Sequence, residues 1–237
     1  YPQMLVEPDL TLKPAPWSEP LTLSYDLENV LDEQVGTAVC ALTPEKTRVA
    51  FACTIQQRSF EAHLGNSMYA GGNYVLNWNG HWRADSLQLL DAEYTFDGEY
   101  GDSRASILTE AGGLAYGLDG AAPRPMDGEA VVDVEWPLRM MALDFERPWS
   151  GGHSLMLLRL RPGEGAGGVE PMPLLIVGRE YAPVADGHVL SWKVRLGRET
   201  AWYRVDEPHT LVRYDDGFGV IWVPTTTPRN EADPSGT

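Results

Sequence analysis

The chain has 237 residues, with 18 basic and 34 acidic side chains giving a formal charge of −16, and only two cysteines. That length buries a substantial core as one domain without metal or many disulfides. The acidic residues are scattered, so the surface repels nucleic-acid phosphates and anionic headgroups. The one basic cluster, Arg195, Arg198, Arg204 and Arg213, is interleaved with Glu199, Asp206 and Asp215, which argues against nucleic-acid binding.

The chain opens Tyr1-Pro2-Gln3 and continues through Pro8, Pro14, Pro16 and Pro20. Residues 1–20 read as an extended, Pro-rich tether of a mature or trimmed protein, which points to secretion or envelope anchoring; a cut in a longer chain would start the same way. No run of eighteen apolar residues occurs, so no segment reads as a membrane-spanning helix.

From Leu21 the pattern is that of strands: Leu21–Tyr25, Gly36–Cys40 and Arg48–Ile55 alternate apolar with small or polar residues, as sheets with one face in a core do. A turn near Glu45 to Arg48 brings Cys40 and Cys53 opposite each other. In an oxidising compartment they would close a disulfide worth roughly 3 kcal/mol; two unrelated buried thiols are the alternative. Tyr74–Trp78, Ser86–Leu90, Ala92–Phe96 and Ser106–Thr109 continue the series, punctuated by Gly71-Gly72, Asp97-Gly98 and Gly112-Gly113. Asn79-Gly80 between Trp78 and Trp82 predicts a tight hairpin, because a type I′ turn needs positive φ at both central positions.

One segment breaks this rhythm. Asp133–Phe145 has acidic residues ahead of Pro137 and apolar residues at 138, 141, 142 and 145, which predicts a short helix covering the sheet or plugging a barrel end. Gly163–Gly168 reads as a loop between the strands Leu155–Leu160 and Leu174–Val177. An antiparallel meander follows through Ile176–Glu180, Ser191–Val194, Ala201–Arg204 and Leu211–Tyr214, with turns at Asp186-Gly187, Leu196-Gly197, Asp206-Glu207-Pro208 and Asp215-Asp216-Gly217. The tail, residues 224–237, has no apolar surface to bury and reads as disordered. The expected fold class is therefore mainly all-β. Residues 21–223 form a single domain, a curved antiparallel sheet curled into a barrel or half-barrel with one short covering helix, since about a dozen strands limit their exposed edges in that way.

Signatures of catalysis are weak. There is no Gly-x-Ser-x-Gly motif, and His153-Ser154 has no placed acid. Asp85, Asp91, Glu93, Asp144 and Glu146 supply carboxylates that read as solvated strand ends, with acid or base chemistry at Asp85, Asp91 or Glu93 as the competing reading. The five histidines and the two cysteines lack metal-ligand spacing, so neither a metal nor a cofactor is expected. Aromatics are more suggestive. Trp78, Trp82, Trp192 and Trp202, with Met141 on the helix, are the candidate lining of an apolar cavity, with Arg83 and Asp85 as polar orienting groups; filling the core is the structural alternative.

The ordered set Val177-Gly178-Arg179-Glu180, Gly187, Trp192-Lys193-Val194, Trp202-Tyr203 and Pro208 to Tyr214 resembles the C-terminal pattern of a bacterial family of extracytoplasmic proteins of unknown function. Those proteins are similar to the lipoprotein carriers of the cell envelope (LolA/LolB-like), and the match spans roughly residues 171–223. The resemblance implies a half-barrel whose concave side holds acyl chains, and it implies no catalytic residues. The expectation is a monomeric, extracytoplasmic, non-enzymatic binding protein for a lipid or other hydrophobic small molecule. A filled-core interaction module and a carboxylate-using hydrolase or isomerase are the alternatives.

Overall fold

The structure is a computed structural model that describes residues 12–99, 101–110, 113–126, 131–132, 135–146, 153–158, 169–184 and 187–225. The first half of the chain forms β1 (Leu21–Asn29), β2 (Gln34–Pro44), β3 (Arg48–Gln57), β4 (Phe60–Leu64), β5 (Ser67–Gly71), β6 (Tyr74–Arg83), β7 (Leu89–Gly98), β8 (Ser103–Glu110), β9 (Gly113–Leu118) and β10 (Arg124–Met126). After β11 (Val131–Val132) come α1 (Trp136–Arg139) and a 3-10 turn (Met140–Ala142). The second half forms β12 (His153–Leu158), β13 (Val169–Val184), β14 (Gly187–Leu196), β15 (Glu199–Arg204), β16 (Leu211–Asp215) and β17 (Val220–Pro224).

All strands but β4 and β5 belong to one 15-stranded sheet in the order β10-β9-β8-β7-β6-β3-β2-β1-β17-β16-β15-β14-β13-β12-β11. Two meanders therefore run outward from a central seam, where β1 pairs with β17 through Leu27 opposite Trp222. The pairing is antiparallel except at the β11–β12 edge, which is parallel. Laid flat, such a sheet would be about 65–70 Å wide. A single apolar cluster nevertheless includes Leu114 of β9 and Leu174 of β13, near opposite ends of the strand order, so the sheet is open yet strongly curled. Register shifts at Leu27/Glu28, His81/Trp82, Ile176/Gly178 and Trp202/Tyr203 mark bulges, which increase local twist.

The segment Trp136–Leu143 sits inside the curl, and every one of its residues is buried. The expected helix is present but shorter, giving way to a 3-10 turn after one turn of α-helix. It plugs the interior and does not merely cover a face. Partners for its polar groups lie in the interior: Arg139 Nη1 lies 3.4 Å from Glu135 Oε1, and the Tyr203 hydroxyl donates to the Pro137 carbonyl at 2.9 Å. Glu199, at the start of β15, accepts from the Trp136 indole N–H and, at 2.8 Å, from the Tyr214 hydroxyl. Burying a carboxylate requires such donors, because an unpaired one would cost several kcal/mol, roughly.

Two sequence expectations meet different outcomes. Cys40 and Cys53 face each other across β2 and β3 and form a disulfide on the buried face, with the turn closed by Glu45 N–H donating to the Arg48 carbonyl. Asn79-Gly80, by contrast, is no hairpin. Both residues lie mid-strand in β6, with Gly80 opposite Phe51 on β3 and Ala92 on β7. A Cβ at Gly80 would stand 2.2 Å from the Asp91 carbonyl oxygen and 2.7 Å from the Phe51 ring. Glycine is needed there for close approach: the Phe51 ring fills the space between Trp78 and Trp82, at 4.1 and 4.4 Å.

The described part of the segment expected as a tether, residues 12–20, lies along the domain. Leu12 bridges to Leu143, Lys13 N–H donates to the Ala142 carbonyl, and Trp17 is buried. The Lys13 ammonium reaches Asp144 at 3.3 Å and Glu207 at 3.0 Å. Residues 1–11, the Gly163–Gly168 loop and the tail from residue 226 lie outside the described residues.

Gly80→Val is expected to destabilise the protein by about 1–3 kcal/mol through overpacking against Phe51 and the β7 backbone, read from urea unfolding midpoints. A neutral result would return Asn79-Gly80 to an exposed turn. Replacing both cysteines by alanine should cost roughly 2–4 kcal/mol in the same assay, with a reducing agent having little further effect on that variant.

Candidate functional site

The residues singled out as cavity lining are distributed by the alternation of the strands on which they lie. Trp78 and Trp82 point into the curl from β6 and are fully buried against Phe51. Met141, on the 3-10 turn, is likewise buried in the main cluster. Trp192 also faces inward, stacked on Phe145 at 5.5 Å, with the Arg179 guanidinium 4.3 Å above its ring. Trp202 is on the other face. It pairs across β14 with Lys193, one residue out of phase with Trp192, and packs with Ala182 and Val212 in a small separate cluster. Its indole N–H donates to Glu180 at 2.7 Å, and this bond holds the Glu180 carboxyl below the usual range, assisted by Lys193 at 3.0 Å. The structure thus brings Trp78 and Trp82 together, places Met141 and Trp192 in the same core, and separates Trp202 from all four.

Space inside the curl is occupied by the plug, and the carboxylates considered for chemistry are outside it. Asp85 and Glu93 are exposed and the Asp91 side chain is 44% exposed, the last bonded to His81 Nδ1 at 2.8 Å. Arg83 is exposed too. Among the described residues, no group of three His, Cys, Asp or Glu is arranged to hold a metal ion. His209 is buried: its ring meets Phe145 edge-on at 4.9 Å, and Nδ1 lies 3.0 Å from the Arg204 carbonyl oxygen.

A cleft of about 350 Å³ opens at one end of the sheet, walled by turns and strand ends. The hairpin β4–β5, the start of β6, the end of β7 and the turn between β16 and β17 converge there. Phe60, Tyr74, Phe96 and Phe218 supply aromatic walls, and Gln57 and Asp216 supply polar groups. Tyr74 stacks on Phe96 at 5.2 Å, as neighbours on the inner face of β6 and β7. Gln57 is buried and donates to the Gly72 carbonyl at 3.1 Å, which fastens the base of the hairpin to β3. The hairpin also leans on Gly219, whose φ of +110° and lack of a side chain admit the Tyr69 ring; a Cβ there would lie 2.8 Å from it.

Asp216 has two functions in this geometry. Its Oδ1 accepts from the N–H groups of Phe218 at 2.7 Å and Val220 at 3.0 Å, which shapes the β16–β17 turn. Burial in the cleft nonetheless pushes its carboxyl above the ordinary 3.8, with those backbone donors opposing and Asp215 adding repulsion. Burial also pushes the Tyr74 phenol up, and the Asp216 charge adds to that shift. None of these cleft residues stood out in sequence. The available signal was aromatic residues at 60, 74, 96 and 218, each within a few residues of a turn.

Since its pKa is raised on folding, Asp216 favours the folded state most when protonated. That contribution is present below pH 3.8 and is lost as pH rises through the higher folded value. Asp216→Asn keeps an oxygen for the two N–H groups and removes the charge. It should raise the thermal midpoint at pH 7, with the gain shrinking towards pH 3; a lowered midpoint at pH 7 would count against a desolvated carboxylate.

No protein-family model matches the chain, and no curated protein sequence matches it either. In structure it is similar to a β-barrel-like protein of the domain of unknown function DUF1849 from Brucella abortus, with a TM-score of 0.52 and 10% identity over 91% of this chain and 97% of that one. At that identity the likeness is one of fold: the chain has a β-barrel-like architecture built from a curled antiparallel sheet.

Proposed function

We propose that this protein is a non-enzymatic, extracytoplasmic binding protein for an apolar or amphipathic small molecule. The observation that carries the reading is the aromatic-walled cleft. Its volume of about 350 Å³ lies towards the lower end of the range for small-molecule sites, roughly 300–1,000 Å³. Its lining follows the usual composition of such sites, aromatic surface with a few polar groups that fix orientation. The exposure of Asp85, Asp91 and Glu93 favours binding over acid–base chemistry, which needs a desolvated group. The disulfide accords with an oxidising compartment outside the cytoplasm. An acyl chain, as in the lipoprotein carriers, is the ligand type that the resemblance in residues 171–223 suggests. In this reading the ligand sits at the end of the curl, and Trp78, Trp82 and Met141 stiffen the wall behind it. The packed plug favours one second reading, an interaction module without a small-molecule ligand.

N-phenyl-1-naphthylamine, a neutral apolar probe that fluoresces on desolvation, tests the cleft. Phe96→Ala removes the partner of Tyr74 and should weaken its binding by about 1–3 kcal/mol, whereas Trp202→Ala, on the opposite face of the sheet, should leave it unchanged. Equal affinity in a folded Phe96→Ala variant would move the ligand elsewhere. Absence of probe binding by the unmodified protein would favour the interaction module.

A further inference from the structure

We propose that the ligand of the end cleft carries an ammonium group, held between the aromatic walls and the Asp216 carboxylate. The inference rests on the binding reading above and adds the charge of the ligand. Tyr74, Phe96, Phe218 and Asp216 line the same small volume. A ring face attracts a cation through its quadrupole, and the attraction grows when water is excluded. The Arg198 guanidinium lies 5.9 Å from the Phe218 ring centroid, so a cation is accommodated beside this ring.

Asp216 supplies the counter-charge. Among the described residues no cationic side chain pairs with it. Its partners are backbone N–H groups, and its charged neighbour, Asp215, has the same sign. A carboxylate held in a partly desolvated, aromatic setting without a counter-ion is poorly disposed towards anionic ligands and gains most from an incoming cation. Burial and Asp215 both raise its pKa, and an ammonium group in the cleft would oppose both effects. A fatty-acid carboxylate would meet repulsion from Asp216 and Asp215 and from the overall charge of −16. The hydrocarbon part of an alkylammonium ligand finds its surface on Phe60 and the Tyr74–Phe96 stack.

Three decyl compounds that differ in their head group separate the possibilities: decyltrimethylammonium, decanol and decanoate. Each is titrated below its micellar range by NMR, at about 0.15 M salt so that the general acidic field is screened beyond about 8 Å. The unmodified protein should bind the trimethylammonium compound about tenfold more tightly than decanol, and decanoate most weakly. Asp216→Asn, which retains the oxygen that shapes the turn, should bring the ammonium and decanol affinities to within about threefold of each other. Phe218→Leu should weaken ammonium binding severalfold and change decanol binding little. Decanol and the ammonium compound binding equally would overturn the charge inference and leave the binding reading in place. An ammonium preference unchanged in Asp216→Asn would remove Asp216 from the site. Failure of all three compounds to bind would overturn the binding reading itself.

Discussion

The curled sheet depends on the plug formed by Trp136–Leu143. A sheet of fifteen strands offers far more apolar surface on one face than it can bury against itself, and its two arms are joined by strand pairing at the β1–β17 seam. The plug gives both arms a common object to pack against. Met140, Met141, Leu138 and Leu143 fill volume, and Phe145 carries the contact on to Trp192, Tyr203 and His209. Its polar groups are the price of threading a backbone through a core. Tyr203 caps the Pro137 carbonyl, and Glu199 receives the Trp136 indole N–H together with the Tyr214 hydroxyl. These bonds tie the plug specifically to β15 and β16, so the segment is oriented as well as buried.

With the plug in the centre, a cleft is formed at one end of the sheet. There the inserted hairpin β4–β5 leaves the main sheet and leans over the β16–β17 turn, fixed by Gln57 at its base and by Tyr69 against Gly219. The resulting cleft joins residues from the first half of the chain to residues close to its C-terminal strand, and it can exist only because β1 and β17 are neighbours. Seam, plug and cleft are thus linked: the pairing that closes the two meanders also sets Asp216 and Phe218 opposite Tyr74 and Phe96. The likeness to the β-barrel-like protein from Brucella abortus at 10% identity fits an architecture fixed by burial pattern and pairing, for which many side-chain sets suffice.

Much of the local structure was legible because it has local causes. Alternation marked most of the long strands, Pro137 marked the start of the helical segment, and the turns at Leu196-Gly197, Asp206-Glu207-Pro208 and Asp215-Asp216-Gly217 fell where they were read. The cysteine pairing was legible as well, since one short hairpin sets both residues opposite each other. Asn79-Gly80 misled for an equally clear reason. A turn dipeptide carries the same residues whether it bends the chain or yields room to a neighbour, and only the Phe51 ring on β3 decides which. The count of strands was also underestimated, because the edge strand β10 and the hairpin β4–β5 have little burial to impose a pattern and β11 spans only two residues.

By itself the sequence determined an antiparallel, mainly β domain with two cysteines brought opposite each other by a short hairpin and one short helical interruption, because strand alternation, turn chemistry and short-range pairing act over a few residues. Tertiary structure alone decided which aromatics share a space. Trp192 and Trp202 part company because the β14–β15 register sets Trp202 opposite Lys193 and Trp192 opposite Tyr203, while Phe218 converges on the Tyr74–Phe96 pair from a turn far along the chain. The inward charge of Glu199 and the partial burial of Asp216 were decided in the same way, since desolvation is a property of everything packed around a group and of nothing beside it in the chain.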